Sequence, residues 1–370
     1  MQMQATSDYL LQAVTQAIEH KRPLYIRGGG SKDFYGNSQA ATSQHTILNT
    51  TNWQGIVDYE PSELVVTARA GTSLADLEKL LHEQGQMLAF EPPYFSTATT
   101  LGGCVAAGLS GPRRAYAGAV RDYVLGVQLL DGQGSILSFG GQVMKNVAGY
   151  DVSRLMVGAM GTLGVLLEVS LKVLPRPETE RTLCIQTSQP DAIHFMRRCS
   201  AEPLPVSATC FLDGRLYIRV SGPESAVRTA HSRLGGDIIA DGADFWESIR
   251  DHTYSFFQQG KSAEQSLWRL SIQPTAPSLS LPGKQLIEWG GALRWLLTDK
   301  DTDATIIRQQ AANAGGHATL FYGDKTTVSA FHPLSPALLK IHQRLKQQFD
   351  PLGIFNPQRL YPEIQPCKPI

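Results

Sequence analysis

Glycine gathers in three tight clusters along this chain, and they constrain its fold more than any other feature. They are Arg27-Gly28-Gly29-Gly30-Ser31, then Thr97-Ala98-Thr99-Thr100-Leu101-Gly102-Gly103, then Gly158-Ala159-Met160-Gly161-Thr162-Leu163-Gly164. Glycine admits positive φ and close backbone approach, so successive N–H groups in such runs can converge on an anion. The second cluster reads as a helix N-terminus, where free N–H groups and the helix dipole favour phosphate. Each cluster alone is also an ordinary tight turn. Three together, two of them beside strands, favour a ligand that carries phosphate.

The surroundings of the clusters argue against two common phosphate sites. A G-x-G-x-x-G dinucleotide fingerprint must open a helix directly after a strand. Residues 31–37 do not read as helix, and Gly158, Gly161 and Gly164 end a helical segment instead of opening one. No G-x-x-x-x-G-K followed by Ser or Thr occurs, so a P-loop is excluded too.

The segments between the clusters alternate helix and strand. Residues 8–20 carry Leu10, Leu11, Val14, Ala17 and Ile18 on one helical face. Short strands are expected at 24–26, 47–48, 56–59 and 64–68. Ser73 is placed to cap a helix over 74–84, and Gly85 sits where a C′ glycine belongs. Asp131-Gly132-Gln133-Gly134 lies between two apolar runs, which is a hairpin signal. Residues 151–162 read as helix. From Val165 the pattern alternates: Val165, Leu167, Val169, Leu171 and Val173 on one side, Glu168, Ser170 and Lys172 on the other. That is the pattern of a half-buried strand. Ser335-Pro336 starts a last helix, with Leu338, Ile341, Leu345 and Phe349 at helical spacing.

Bulk properties narrow the function classes. A length of 370 residues suggests two or three domains. Lys+Arg and Asp+Glu are both 33, so no global field attracts nucleic acid. The five cysteines, Cys104, Cys184, Cys199, Cys210 and Cys367, contain no C-x-x-C pair and fit neither a disulfide framework nor a zinc or iron–sulfur site. A reducing, cytoplasmic home is expected. No segment stays apolar for the roughly 18 residues that span a bilayer, and the first ten residues lack the pattern of a signal peptide. Membrane association is therefore expected only through partner subunits.

The run Lys145-Asn146-Val147-Ala148-Gly149-Tyr150-Asp151, followed by Leu155, Gly158 and Gly161-Thr162-Leu163-Gly164-Val165, resembles the signature of the vanillyl-alcohol-oxidase-type (PCMH-type) FAD-binding family. Arg27 to Ser31 matches its first pyrophosphate loop, Thr99 to Gly103 its second, and Phe355-Asn356-Pro357-Gln358-Arg359-Leu360 its C-terminal motif beside the flavin. Ser110-Gly111-Pro112-Arg113-Arg114, Glu288-Trp289-Gly290-Gly291-Ala292 and Ala314-Gly315-Gly316-His317-Ala318 are similar to the FAD-binding E subunits of bacterial glycolate oxidases.

The resemblance implies an α+β fold. A PCMH-type FAD-binding domain of two α+β subdomains (1–177) would precede a smaller α+β cap (178–333), then a C-terminal helix and flavin-side tail (334–370). It implies FAD held by Arg27, Gly28, Gly29, Gly30 and Ser31, with Thr97, Thr100, Gly102 and Gly103 on the other side of the diphosphate. Gly108, Ser110 and Gly118 would line the same cleft, Gly161, Gly164 and Val165 the adenosine end, and Asn356 and Arg359 the ring. Many members attach FAD through a His beside the first loop. The matching position here is Ser31, which implies non-covalent FAD.

The implied reaction is oxidation of glycolate, a 2-hydroxy acid, to glyoxylate, with electrons leaving through a partner. The implied partners are a larger flavin-containing subunit and an iron–sulfur subunit. The catalytic base is unassigned. Arg359, His317 and Tyr150 are the candidates, while Tyr116 and Arg114 lie in loops that could also face the ring. A lone His317 provides no metal site. Two alternatives stay open: a stand-alone flavin oxidase of another hydroxy acid or alcohol, and a non-catalytic structural subunit.

Overall fold

The structure, a computed structural model, describes residues 2–37, 46–142, 150–262 and 264–364. The run Lys145 to Gly149 of the signature lies outside the described residues.

Helix α1 (Gln2–His20) turns Leu10, Val14 and Ala17 onto β1 (Leu24–Arg27) and β2 (Thr46–Asn49). These two strands pair in parallel, Leu24 opposite Thr46 and Arg27 opposite Asn49. Phe355, from the far end of the chain, bridges Leu24 on the other side. The C-terminal tail thus completes the first α+β unit.

The second unit is a five-stranded antiparallel sheet with helices on it. In chain order it comprises β3 (Ile56–Glu60), β4 (Val65–Arg69), α2 (Leu74–Glu83), α3 (Leu101–Ala107), β5 (Val124–Leu130), β6 (Ile136–Gly140) and β7 (Val165–Lys172). The strand order is β3-β4-β7-β5-β6. Ser73 caps α2, its hydroxyl accepting from the Asp76 amide at 3.4 Å, and Leu74, Leu77 and Leu81 face the core. In the β5–β6 hairpin Asp131 Oδ1 accepts from the amides of Gln133 and Ser135, as Asx turns do.

Two expectations are corrected. The alternation in β7 does not describe a half-buried strand. β7 lies inside the sheet, between β4 and β5, and Leu166 and Ser170 on its second face are buried too. The pairing to β5 jumps from Glu168 opposite Gln128 to Leu166 opposite Leu129, a β-bulge at Leu167. Val165 and Leu167 therefore join the core around α1, while Val169, Leu171 and Val173 join the core under α2 and α3. One strand serves both units. The helix expected over 151–162 spans only Val152–Leu155. Gly158, Met160 and Gly161 take left-handed φ of 79°, 55° and 69°, which an α-helix cannot continue.

The following segment builds an eight-stranded antiparallel sheet. Its elements are β8 (Thr179–Gln186), α4 (Gln189–Ala201), β9 (Val206–Leu212), β10 (Arg215–Gly222), α5 (Glu224–Leu234), β11 (Asp237–Ile239) and α6 (Gly242–Arg250), then β12 (Gln265–Ser271), β13 (Lys284–Glu288), β14 (Leu293–Asp299), α7 (Ala304–Asn313) and β15 (His317–Tyr322). The order is β11-β8-β10-β9-β13-β14-β12-β15. One of its cores includes Trp246, Phe257, Trp295 and Phe321 together with Tyr35, Ala107, Leu109 and Met160 from the first half. That shared cluster seats the sheet against the glycine-rich side of the molecule. Helix α8 (Pro336–Phe349) then returns to the first half. Its fully buried residue is not one of the expected apolar set but Lys346, while Leu338 and Ile341 are exposed.

Candidate functional site

Gly28, Gly29 and Gly30 line a cavity of about 450 Å³, with Thr100 and Gly103 facing them and Met160, Asn356 and Arg359 closing it. A narrower extension of about 70 Å³ runs past Gly102, Gly161 and Gly164. All three glycine clusters therefore meet at one place, although more than 120 residues of sequence separate the first from the last.

The first cluster supplies the donors. Among the described residues, no protein group accepts from the amides of Gly28, Gly29, Gly30, Ser31 or Lys32. The chain leaves β1 at Arg27, and Gly30 takes φ of 74°. The loop closes on itself through the Asp33 amide, which donates to the Gly30 carbonyl at 3.1 Å. Arg27 donates through Nε to Asp33 Oδ2 at 2.7 Å at the cavity rim.

The second cluster has a different role from the one expected. Its helix N-terminus has no free amides to offer. The Leu101 amide donates to the Thr72 carbonyl at 2.9 Å, Gly102 to Ala70 at 2.7 Å, and Gly103 to the capping Thr100 hydroxyl at 3.3 Å. Gly102 is needed for close packing: a Cβ there would stand 2.7 Å from the Ala70 methyl. The same holds for Gly29, whose Cβ would stand 1.5 Å from the Ala98 carbonyl oxygen. These two glycines let the first two clusters sit close to their backbone neighbours, which shapes the cavity wall.

The third cluster and the tail lock together. The Met160 amide donates to Ala106 at 2.9 Å, anchoring the loop to the end of α3. Asn356 Nδ2 donates to the Met160 carbonyl at 2.7 Å, and its Oδ1 accepts from the Ile26 amide at 2.8 Å. Asn356 thus joins both units and the tail across the cavity floor. Arg359 Nη2 donates to the Lys32 carbonyl at 2.9 Å, and burial lowers the pKa of its guanidinium.

Other sequence candidates lie elsewhere. Thr97 is exposed and faces neither cavity. Gly108 ends α3 with φ of 66° and packs on Gly158. Gly118 (φ 102°) packs beside Asp122. Val165 is buried in the core around α1. Tyr150 is 97% exposed. His317 opens β15 on an exposed edge, and no group of three or more His, Cys, Asp or Glu able to hold a metal occurs among the described residues. Arg114 stacks on Trp289, its guanidinium 4.3 Å from the ring centroid, and Tyr116 packs against the core beneath α4.

Ser110 lines a separate void of about 20 Å³ where the two halves meet, together with His252, Arg269, Glu288 and Trp295. Trp295 Nε1 donates to Glu288 Oε2 at 2.8 Å, and burial pushes the Glu288 carboxyl up to about 8. The His252 ring stacks on Phe257 at 3.9 Å, and burial holds its pKa well below the ordinary histidine range. Sequence reasoning missed this group, because its members come from separate strands and a helix end. It also missed Lys32, which lines the large cavity and is only 8% exposed. Its place directly after Ser31 was the available signal.

Comparison with known proteins agrees with this geometry. Residues 4–140 match an FAD binding domain. The glycolate oxidase subunit GlcE of Escherichia coli (strain K12) is 48% identical, over 97% of this chain and 98% of that protein. The glycolate oxidase subunit GlcD of Bacillus subtilis (strain 168) is 32% identical over 48% of this chain and 37% of that protein. Among solved structures, an alkyldihydroxyacetonephosphate synthase superposes with a TM-score of 0.65 at 16% identity, covering 94% of this chain and 74% of the other, and so shares the fold. The chain belongs to the GlcE family of glycolate oxidase subunits, FAD-dependent oxidoreductases with a PCMH-type FAD-binding fold.

Proposed function

We propose that this chain binds FAD non-covalently in the large cavity and serves as the FAD-binding subunit of a complex that oxidises glycolate to glyoxylate. The observation that carries the reading is the run of five unengaged amides from Gly28 to Lys32, in a chain similar to GlcE over nearly its full length. The donor set fits a dinucleotide. Arg27, Lys32 and Arg359 are among the residues lining the cavity, with one carboxylate residue, Asp33, so the lining residues carry two net positive charges, which favours the two negative charges of a diphosphate.

In this reading the amides of Gly28 to Ser31 hold the diphosphate, and Thr100 and Gly103 form the opposite wall. Gly161 and Gly164 line the narrow arm, and Asn356 ties Ile26 to Met160 beside the cavity. Ser31 stands where a covalent histidine would be needed, so denaturation should release the flavin. Bound FAD supplies a two-electron acceptor for hydride from the donor's Cα–H. The GlcD and GlcE subunit names of the relatives support an assembly with a larger flavin-containing subunit. An iron–sulfur subunit would carry electrons onward, since the five cysteines lack cluster spacing. No helix among the described residues is long and apolar enough to cross a membrane, and we place the complex in the cytoplasm, with any membrane contact made by partners. We divide the chain into an FAD-binding domain (1–177), a cap (178–333) and a flavin-side tail (334–370).

Gly103→Leu tests the reading. A Cβ at Gly103 would meet only the Thr100 hydroxyl, at 3.1 Å, so a longer side chain enters the cavity at the cost of a shift of a few tenths of an ångström in that hydroxyl. Replacing a helical glycine should leave stability unchanged or raise it by about 0.5–1 kcal/mol. The purified variant chain is expected to retain less than about a tenth of the flavin, and its complex to lose glycolate turnover. Full flavin content in the supernatant after denaturation, with turnover unaltered, would show that FAD does not occupy this cavity.

A further inference from the structure

We propose that Arg114 and Arg269 form a small-carboxylate site on the seam between the two halves of the chain, with the Trp289 indole as its base. The assignment goes beyond the FAD reading and does not depend on it.

Two guanidiniums converge on one indole. Arg114, from the first half, has its Cζ 4.3 Å from the Trp289 ring centroid, and Arg269, from β12, has its Cζ 5.1 Å from the same centroid. Trp289 is buried and anchored to the first half, its Nε1 donating to the Gly111 carbonyl at 3.0 Å. Stacking uses only the face of a guanidinium and leaves its in-plane N–H groups free. Among the described residues, no protein group accepts a hydrogen bond from either side chain, and neither forms an ion pair. Both residues are half-buried, and none of their nitrogens is among the sealed, partnerless atoms of the described core. A ligand from solvent can therefore reach them.

The protein itself does not balance these charges. Burial lowers the pKa of both guanidiniums, and the charge of Arg269 lowers that of Arg114 further. The carboxyls nearby act only through space. Asp122 acts on Arg114 beside a further cation, Arg121, and its Oδ2 accepts from the Ala119 amide. Glu288 acts on Arg269 but is engaged with the Trp295 indole N–H, and burial pushes its carboxyl up to about 8. Two like charges held close without a counter-ion are costly, and an arriving anion offsets that cost.

The backbone is strained at the same place. Trp289 takes φ of 54°, a left-handed conformation that bulky side chains rarely adopt, and Gly290 and Gly291 follow at 64° and 98°. Residues from all three segments that resemble E subunits gather here. His317 stands opposite Ser271, two residues along β12 from Arg269, and burial together with the Arg269 charge lowers its pKa. A planar carboxylate matches the planar fork of a guanidinium. A base as buried as Trp289 suits a small molecule entering the seam and not the surface of another protein.

Calorimetric titration of the purified full chain with glycolate, with oxalate and with glycolamide, the uncharged isostere, tests the site. Both carboxylates should bind and the amide should not. Arg269→Met should weaken binding about tenfold or more, as expected for loss of a charge-assisted contact. Arg114→Gln should do the same, and Arg269→Lys should recover part of the affinity lost in the methionine variant, since it keeps the charge without the fork. Glycolate bound at least as tightly as oxalate assigns the site to the 2-hydroxy acid, whereas tighter oxalate assigns it to a dicarboxylate. Absence of binding by either carboxylate at about 10 mM overturns the proposal and leaves the two arginines for an acidic side chain of a partner. Equal affinity in wild type and both variants overturns it too. Arg114 is half-buried in a loop, so Arg114→Gln keeps the test open should the Arg269 variants fail to fold. Loss of FAD binding would leave these heats unchanged, so the two readings fail separately.

Discussion

Replacing Lys346 with methionine is expected to lower the stability of this chain by about 3–5 kcal/mol, the usual cost of breaking a buried ion pair from one side. The Lys346 ammonium donates to Asp350 Oδ2 at 2.7 Å, to the Thr162 carbonyl at 2.7 Å and to the Phe355 carbonyl at 2.9 Å. Asp350 is completely buried, and its oxygens accept from the amides of Ile354 and Phe355 at 3.0 and 2.8 Å. The pair thus shapes the turn after α8 that brings Phe355 beside Leu24 and Asn356 across the cavity floor. Without the ammonium, a carboxylate and two carbonyls remain in the core with too few donors. Urea unfolding should show a lower midpoint with the slope retained. Adding Asp350→Asn to the variant should recover part of the loss, since it removes the stranded charge. A midpoint within experimental error of wild type would mean that this junction does not hold the tail in place. Flavin retention should fall in parallel with stability, because the same tail supplies Asn356 and Arg359.

The second large effect concerns pH. Burial raises the Glu288 carboxyl from 4.5 to about 8. The folded chain therefore keeps a proton that the unfolded chain releases once pH exceeds about 4.5. The stability carried by that proton is complete below about pH 4.5 and is lost progressively as pH rises towards 8. The gap between the two values amounts to several kcal/mol, on the order of 3–5. Glu288→Gln keeps an oxygen for the Trp295 indole N–H and removes the titration. Unfolding measured at pH 5, 7 and 8.5 should show the variant overtaking wild type as pH rises. Parallel profiles for the two proteins would rule out Glu288 as the source of the dependence.

Local chemistry made much of the fold legible. Ser73 and Ser335 cap the helices they precede, and the Asp131 hairpin forms where its Asp-Gly pair stands. The three glycine runs mark the cavity because close backbone approach excludes a Cβ and positive φ favours glycine. Long-range register was not legible. The alternation from Val165 to Val173 is regular in sequence, yet the bulge at Leu167, set by pairing with Gln128 and Leu129, splits it between two cores. The helix over 151–162 fails because Met160 must reach Ala106 and Asn356.

By itself, then, the sequence determined which segments bend, cap and approach closely, and through its resemblance to a family, the class of cofactor. Only the tertiary structure decided which amides remain open. The amides of Leu101 and Gly102 are consumed by Thr72 and Ala70, turn residues just after β4 and about thirty positions away, while those of Gly28 to Lys32 are left for a ligand. It also decided that Lys32 is buried and Tyr150 exposed. Propensity acts over a few neighbouring residues. Hydrogen-bond partners and desolvation depend on which distant segments arrive beside a group, and that is set when the chain packs.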